Sequence, residues 1–182
     1  MISLKTESLI KLTNIPKNSV DFICFELPDI WDVTIDFNIK IHKDLLYCLL
    51  CEYYRVLKSN WNIVLFFDKE CISWIGKELK KFPLLKYKWP IFIQNDQNNM
   101  KNNIVQSRYD VCFWLTGDND SHLDKTKLKR HLLYINSNDK QDIVENLIMN
   151  FTRLGDRVLN WMSELREIEQ FCDKKLRLCV SL

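Results

Sequence analysis

Short, nearly continuous apolar runs recur along the chain, and each of them is only a few residues long. Such runs predict strands that are buried on both faces of a sheet. The predicted strands are residues 20–25, 62–67, 89–93, 109–115, 157–159 and 176–180. Between them, apolar residues at helical spacing predict helices. The predicted helices are residues 8–15, 43–57, 69–81, 142–151 and 164–171.

This alternation of strands and helices favours an α/β fold with a mostly parallel sheet and right-handed crossovers. The chain has 182 residues, which suits one domain with a well-buried core better than two. We therefore expect a single domain over residues 1–182. The polar segment 116–129 is predicted to be loop, and residues 154–156 are predicted to turn into the strand that follows.

Glycine occurs only three times, at Gly76, Gly117 and Gly155. Neither the dinucleotide pattern G-x-G-x-x-G nor the phosphate loop G-x-x-x-x-G-K-[ST] can be written anywhere in this sequence. The sequence therefore excludes nucleotide binding by a glycine-rich loop of either type.

Charge and hydropathy place few further limits. Lys and Arg total 26 against 24 Asp and Glu, so the chain is mildly basic, which permits contact with nucleic acid without demanding it. No tract is long and apolar enough to span a bilayer, and the first residues lack the basic start and apolar core of a secretory signal. We expect a cytoplasmic protein that does not enter membranes.

The seven cysteines are an odd number, and most lie within apolar runs. A chain of this size builds a core without disulfides, so buried free thiols are the prediction. Cys48 and Cys51 form one Cys-x-x-Cys pair, but no second pair accompanies them, and the three histidines are isolated in sequence. A structural zinc site needs four ligands, so we expect no bound metal.

One strand leads directly into a loop of polar residues. Residues 18–31 read Asn-Ser-Val-Asp-Phe-Ile-Cys-Phe-Glu-Leu-Pro-Asp-Ile-Trp, so Glu26, Pro28, Asp29 and Trp31 follow the strand 20–25. Open α/β sheets bind their ligands outside the carboxyl ends of the strands. This loop is therefore the candidate site.

Four segments, taken in order, carry a resemblance to a known family. They are residues 6–23, 54–67, 107–114 and 143–159, which resemble "GD-x-L … LP-x-NSVDLI", "RVLKPGG" with its strand, "RYE-x-x-x-W" and the helix before "PGD-x-VLD". These patterns are typical of the DNA amino-methyltransferases that modify adenine N6 or cytosine N4, with the catalytic half first. The resemblance covers nearly the whole chain, and it implies a Rossmann-like, S-adenosylmethionine-dependent methyltransferase fold.

The resemblance places the catalytic tetrapeptide at residues 26–29, where the family has an acidic or polar residue, two prolines and an aromatic. Here they are Glu26, Leu27, Pro28 and Asp29. The extra methylene of Glu26 displaces its carboxylate by roughly an ångström, which is enough to lose large factors in rate. Asp29 cannot stack on a flipped base as the family's aromatic does.

The cofactor positions implied by the resemblance also depart from the family. They are Glu7, Asn160, Trp161, Glu164 and Arg166. The family's "D-P-F-x-G-x-G" uses glycines to bring the backbone close to the cofactor, whereas Glu164 and Arg166 occupy those positions here. The acid expected after the last strand is absent, since the chain ends Cys-Val-Ser-Leu, and the turn "KPGG" is replaced by residues 58–61, Lys-Ser-Asn-Trp.

Three hypotheses follow from these departures. The first is a degenerate methyltransferase-like protein without catalysis or cofactor, which binds a protein partner or double-stranded DNA. The second is an active adenine-N6 or cytosine-N4 methyltransferase that uses S-adenosylmethionine, with Glu26 binding the amino group and Trp31 stacking on the base. The third is a plain α/β domain whose likeness is coincidental, because fold does not fix function.

The resemblance places a reduced target-recognition segment around residues 116–141. Within it lies a basic stripe suited to phosphate contacts, formed by Lys125, Lys127, Lys129 and Arg130. The stripe is extended by Lys88, Lys101 and Arg108. The alternative is a solvated surface helix, because three aspartates stand nearby. Trp161 either fills the vacated cofactor pocket or anchors a partner. The resemblance also implies a homodimer, or a heterodimer with an active methyltransferase.

Overall fold

A computed structural model describes residues 10–26, 37–67, 72–82, 84–94, 109–117, 134–136, 139–161 and 167–181. A short helix, α1, is described over residues 10–13. The other helices are α2 (Phe37–Val56), α3 (Ile72–Leu79), α4 (Lys140–Phe151) and α5 (Ile168–Lys174). The strands are β1 (Val20–Glu26), β2 (Leu57–Phe66), β3 (Lys86–Gln94), β4 (Tyr109–Thr116), β5 (Tyr134–Asn136), β6 (Arg157–Trp161) and β7 (Leu178–Ser181).

These strands form one sheet of seven, in the order β5-β3-β4-β2-β1-β6-β7. The pairs β1–β2, β1–β6, β6–β7 and β3–β5 are parallel, whereas β4 is antiparallel to both of its neighbours. The mostly parallel α/β architecture predicted from the sequence is therefore confirmed. All of the parallel strands end at the same edge of the sheet, which we call the carboxyl edge.

Helices cover both faces of the sheet, and the alternation along β1 shows how the core is divided. Ile23 and Phe25 pack in a cluster with buried residues of α2 and α3. Phe22 and Cys24 pack in a second cluster with buried residues of α4 and α5. Because successive side chains of a strand point to opposite faces, the two pairs of helices lie on opposite sides of the sheet.

Most predicted elements are present, with different bounds. Helix α2 begins six residues before the predicted start at residue 43, whereas α5 begins four residues after the predicted start at residue 164. The strand β5 was not predicted. Within the predicted loop 116–129, Thr116 ends β4, and residues 118–129 lie outside the described residues.

Residues 58–61, which stand in place of the resembled family's turn "KPGG", lie within β2. Between the paired positions Val20–Leu57 and Phe22–Asn62, β1 advances two residues and β2 advances five. The extra residues form a bulge, so the strand continues in the same direction through an irregular stretch.

The cysteine predictions are partly confirmed. Cys24, Cys112 and Cys172 are buried free thiols. Cys48 and Cys51 are also free thiols, but both are exposed, because they lie on the outer side of α2. In the described part of the chain, no three potential metal ligands come together, and no helix is long and apolar enough to cross a membrane.

Candidate functional site at the carboxyl edge

The connections of the sheet diverge between β1 and β6. From β1 the chain passes through α2 to β2 on one side, and from β6 it passes through α5 to β7 on the other side. In open α/β sheets the crevice at such a switch point, outside the carboxyl ends of the strands, is where ligands bind. The candidate site is therefore at the tips of β1 and β6.

Glu26 is the last residue of β1, and its backbone pairs with Phe66 of β2. Its side chain is half-buried. The alternation along β1 places it on the same face as Cys24, which packs with α4 and α5. A carboxylate in this position can accept hydrogen bonds from a ligand in the crevice.

Asn160 and Trp161 end the neighbouring strand β6. In the register of the sheet Asn160 pairs with Cys24, and Trp161 pairs with Phe25. Asn160 is only 3% exposed, so a neutral amide is buried at this end of β6. The structure thus brings Glu26, Asn160 and Trp161 to two adjacent strand ends.

Apart from Lys88, which lies exposed on β3, the other predicted site residues lie outside the described residues. They are Glu7, Pro28, Asp29, Glu164 and Arg166 around the crevice, and Lys125, Lys127, Lys129 and Arg130 of the basic stripe. Trp31, Lys101 and Arg108 also lie outside the described residues. Their roles remain predictions from the sequence.

An aromatic pair lies directly beneath the tip of β1. The ring of Tyr53, on α2, packs against Phe25 with 4.8 Å between ring centroids. Tyr53 is fully buried, and this burial, with a smaller electrostatic effect of Cys24, raises the pKa of its phenol well above 10.0. Tyr53 therefore supports β1 as a neutral side chain.

Phe67 immediately follows β2, one residue beyond the position that pairs with Glu26. Its ring packs edge-on against Phe113 at 4.6 Å, so it contributes to the core near the crevice. Sequence reasoning treated it only as a strand residue. Its position at the end of an apolar run was the signal that it lies close to the carboxyl edge.

A buried polar set was also missed. Asn62 on β2 accepts a hydrogen bond from Trp114 on β4, and its amide donates to the backbone carbonyl of Phe151 at the end of α4. The signal in the sequence was an asparagine at the start of an apolar run. These residues position α4 against the sheet; they lie away from the strand tips.

The chain's three glycines lie away from these tips. Gly76 is inside α3, Gly117 follows β4 near Trp61 and Ser59, and Gly155 precedes β6. Each residue described at the ends of β1 and β6 therefore carries a Cβ atom. Neither tip offers the bare backbone that lets a ligand approach closely.

No protein-family model matches this sequence, and no curated protein matches it. Solved structures do. The complex of M1.HpyAVI with SAM (S-adenosylmethionine) matches with a TM-score of 0.73 and 19% identity, over 97% of this chain and 88% of that chain.

Two further structures match similarly. PvuII DNA methyltransferase, described as cytosine-N4-specific, has a TM-score of 0.74 and 14% identity over 96% of this chain and 78% of its own. TTHA0409, a putative DNA modification methylase from Thermus thermophilus complexed with S-adenosyl-L-methionine, has a TM-score of 0.71 and 14% identity over 96% of this chain and 84% of its own. The chain therefore has the Rossmann-like fold of the S-adenosylmethionine-dependent DNA methyltransferases.

Proposed function

We propose that this protein is a degenerate DNA methyltransferase that does not transfer methyl groups and acts by binding double-stranded DNA or a protein partner. The observation that carries the proposal is the pairing of β1 with β6. It places Glu26 and Asn160 at adjacent strand ends where the fold has its crevice, with residues unsuited to the chemistry of the family that the sequence resembles.

The residues at the tip of β6 fit S-adenosylmethionine poorly. The loop of the resembled family carries an aspartate and two glycines, and here Asn160, Glu164 and Arg166 stand at those positions. Glutamate and arginine carry large side chains, whereas the family's glycines let the backbone approach the cofactor closely. The location of all three glycines away from both tips agrees with this poor fit.

The residues at the tip of β1 also argue against methyl transfer. Glu26 ends the strand, so its longer side chain starts from a backbone position fixed by pairing with Phe66. The aromatic that would stack on a flipped base is replaced by Asp29, which has no ring. Catalysis that depends on positioning loses large factors when a group moves by about an ångström.

Binding to double-stranded DNA is supported by the structural neighbours, which are described as DNA methyltransferases or modification methylases. It is also supported by Lys125, Lys127, Lys129 and Arg130, since cations that neutralise phosphates supply most of the affinity for DNA. We place this protein in the cytoplasm, and within a DNA modification system or its regulation. A homodimer or a heterodimer with an active methyltransferase forms part of the proposal.

An active methyltransferase with a diverged site is the second candidate. It is favoured by the position of Glu26, where a carboxylate can accept hydrogen bonds from an amino group, and by neighbours solved with S-adenosylmethionine. In this alternative Trp31 stacks on the base, and the cofactor is S-adenosylmethionine.

Calorimetry with S-adenosylmethionine and transfer of labelled methyl groups to unmethylated duplex DNA distinguish the two candidates. We expect neither heat of binding nor transfer, with an active DNA methyltransferase as the positive control. Methyl transfer by the wild-type chain at more than the rate of the Glu26→Ala variant would establish the second candidate and overturn the first.

A gain-of-binding variant makes the negative result informative. The changes Asn160→Asp, Trp161→Pro, Met162→Phe, Glu164→Gly and Arg166→Gly restore the pattern of the resembled family after β6. We expect this variant to bind S-adenosylmethionine measurably where the wild type does not. Detectable and equal binding by both proteins would show that residues 160–166 are not what limits cofactor binding. Sedimentation velocity tests whether the wild type is a dimer.

A further inference from the structure

We propose that the connection from α3 to β3, residues 77–88, is a second surface that binds the phosphate backbone of double-stranded DNA, at the edge of the sheet opposite to Glu26. We call it the lysine connection. The inference rests on the proposed function only in taking DNA as the ligand, and it holds whether or not the protein transfers methyl groups.

The lysine connection concentrates positive charge. The whole chain has 26 basic and 24 acidic residues, whereas these twelve residues contain five lysines and one acid, Glu78. All five lysines are exposed. They are Lys77, Lys80, Lys81, Lys86 and Lys88. Glu78 pairs with Lys81 at 2.5 Å, so the segment keeps a strong local excess of positive charge.

Apolar anchors hold this segment in place. Leu79 and Leu85 are 5% and 6% exposed, and the ring of Phe82 packs against Tyr47 of α2 at 5.0 Å. The anchors recur every third residue, so the lysines between and beyond them face solvent. The packing of these anchors in the core therefore fixes the positions from which the lysines project.

Backbone hydrogen bonds fix the connection further. The N–H groups of Lys81, Phe82 and Leu85 donate to the carbonyls three residues earlier, at 3.0, 3.0 and 2.9 Å. Because the backbone of this segment is already ordered, binding a ligand here costs little further backbone entropy. The lysine side chains alone must be ordered.

Tyr87 adds a hydrogen-bond donor to the surface. It is 48% exposed, and its ring packs against Phe113 at 4.9 Å. An ordinary phenol keeps its proton at neutral pH, and partial burial raises the pKa of Tyr87 further, so the hydroxyl is available as a donor. Tyrosine hydroxyls commonly contact phosphate oxygens in protein–DNA interfaces.

The lysine connection lies far from the crevice. Strand β3 starts at Lys86 and is antiparallel to β4, which is antiparallel to β2; β3 is therefore parallel to β1. Through the pairs Lys86–Thr116, Asn62–Thr116 and Phe22–Asn62, Lys86 lies level with Phe22, which is four residues before Glu26, and β3 lies three strands away from β1. At about 3.3 Å a residue and about 4.8 Å a strand, Lys86 and Glu26 are roughly 20 Å apart, so DNA bound here need not reach the tip of β1.

Binding through lysines to phosphates has a recognisable signature. It does not depend on base sequence, and the logarithm of the binding constant falls linearly with the logarithm of salt concentration, with a slope of about −0.9 per phosphate contact. The lysine connection is expected to bind duplexes of unrelated sequence equally.

Fluorescence anisotropy of a labelled duplex, measured across a salt series, tests the inference. The variant Lys77→Gln, Lys80→Gln, Lys88→Gln should bind at least tenfold more weakly at low salt, and its salt slope should be smaller in magnitude by about 2.7. The matched control is Lys17→Gln, Lys174→Gln, Lys175→Gln, three exposed lysines outside the surface. It has the same net charge and should bind almost as tightly as the wild type.

Several outcomes overturn the inference. The first is that the wild type does not bind the duplex, and the second is that both triple variants weaken duplex binding equally. The third is that the wild type binds phosphatidylserine vesicles instead of DNA and that the first variant loses this vesicle binding. If exchanging Lys125, Lys127, Lys129 and Arg130 for Glu abolishes binding while the first variant binds normally, the inference fails and the proposed function stands. Methyl transfer by the wild type overturns the proposed function and leaves the inference intact.

Discussion

The indole nitrogen Nε1 of Trp114 donates a hydrogen bond to the side-chain oxygen of Asn62 across 2.8 Å. Asn62 is fully buried, and its amide nitrogen lies 3.4 Å from the carbonyl oxygen of Phe151. The ring of Trp114 packs on that of Phe151 at 5.1 Å. One side chain therefore links two strands of the sheet to the end of α4.

Replacing Asn62 by Ala should lower the free energy of unfolding by about 2 kcal/mol, because it removes the partners of a buried donor and a buried acceptor. Urea denaturation measures the change. The double variant Asn62→Leu, Trp114→Phe should cost less than the sum of its single changes, since no polar side chain remains there. Strict additivity would show that the hydrogen bond contributes nothing specific.

Arg55 holds the end of α1. Its guanidinium donates to the carbonyls of Ile15 at 2.8 Å and Leu12 at 3.0 Å, and to Glu52 at 2.8 Å. We expect Arg55→Lys to lose about 1 to 2 kcal/mol of stability, because one ammonium cannot reproduce the forked geometry. Lys11→Ala, at an exposed position, is the control and should change stability little. Equal effects of the two changes would contradict this role for Arg55.

Two glycine substitutions should change stability in opposite directions. A Cβ atom at Gly117 would lie 2.8 Å from Nε1 of Trp61, so Gly117→Ala should destabilise the protein by about 1 to 3 kcal/mol. A Cβ atom at Gly76, inside α3, meets nothing within 4 Å. Gly76→Ala should therefore stabilise by about 0.5 to 1 kcal/mol, as measured by thermal unfolding. A loss of stability at both sites would contradict the packing around Gly76.

Stability should fall in alkaline solution because of Tyr53. Its pKa is raised in the folded protein by burial, so above about pH 10 the unfolded chain loses this proton while the folded chain keeps it. The contribution is fully present below the unfolded pKa and is lost as pH rises, by up to about 1.4 kcal/mol per pH unit. Tyr53→Phe should flatten this dependence between about pH 10 and 11.5. Tyr54→Phe, on the exposed side of α2, should not.

Cysteine alkylation should separate the exposed thiols from the buried ones. The pKa of Cys172 is raised, first by a hydrogen bond with Cys179 and then by burial, so it carries almost no thiolate. Iodoacetamide at mildly alkaline pH should label Cys48 and Cys51 well before Cys172 in mass-spectrometric peptide maps. Labelling of Cys172 at the same rate would contradict the packing of α5 against β7.

The apolar runs predicted most of the sheet because buried parallel strands are hydrophobic on both faces. Strand β5 was not predicted because its three residues, Tyr134–Asn136, are too few to show a hydrophobic period. The true start of α2, at Phe37, was not predicted for another reason. Residues 37–41 alternate between apolar and polar, which is not a helical pattern, and the helix there extends from the well-packed part that follows.

The candidate loop after β1 could be proposed from the sequence because it follows the end of one apolar run. The buried contacts of Asn62 and Arg177 could not. Arg177 is 6% exposed and donates hydrogen bonds to Thr152, although it stands between two leucines within the predicted strand 176–180. Its partner lies 25 residues away, and no local pattern records such a contact.

The position of β1 between β2 and β6 affects how the chain folds during its synthesis. Asp21, at the start of β1, accepts a hydrogen bond from the backbone of Arg157, which is 136 residues later. During synthesis β1 emerges early, and its neighbour β6 emerges near the end. Until then β1 is an edge strand whose unpaired backbone and side chains such as Phe22 invite association with other chains. A chain truncated before residue 157 is therefore expected to aggregate rather than fold.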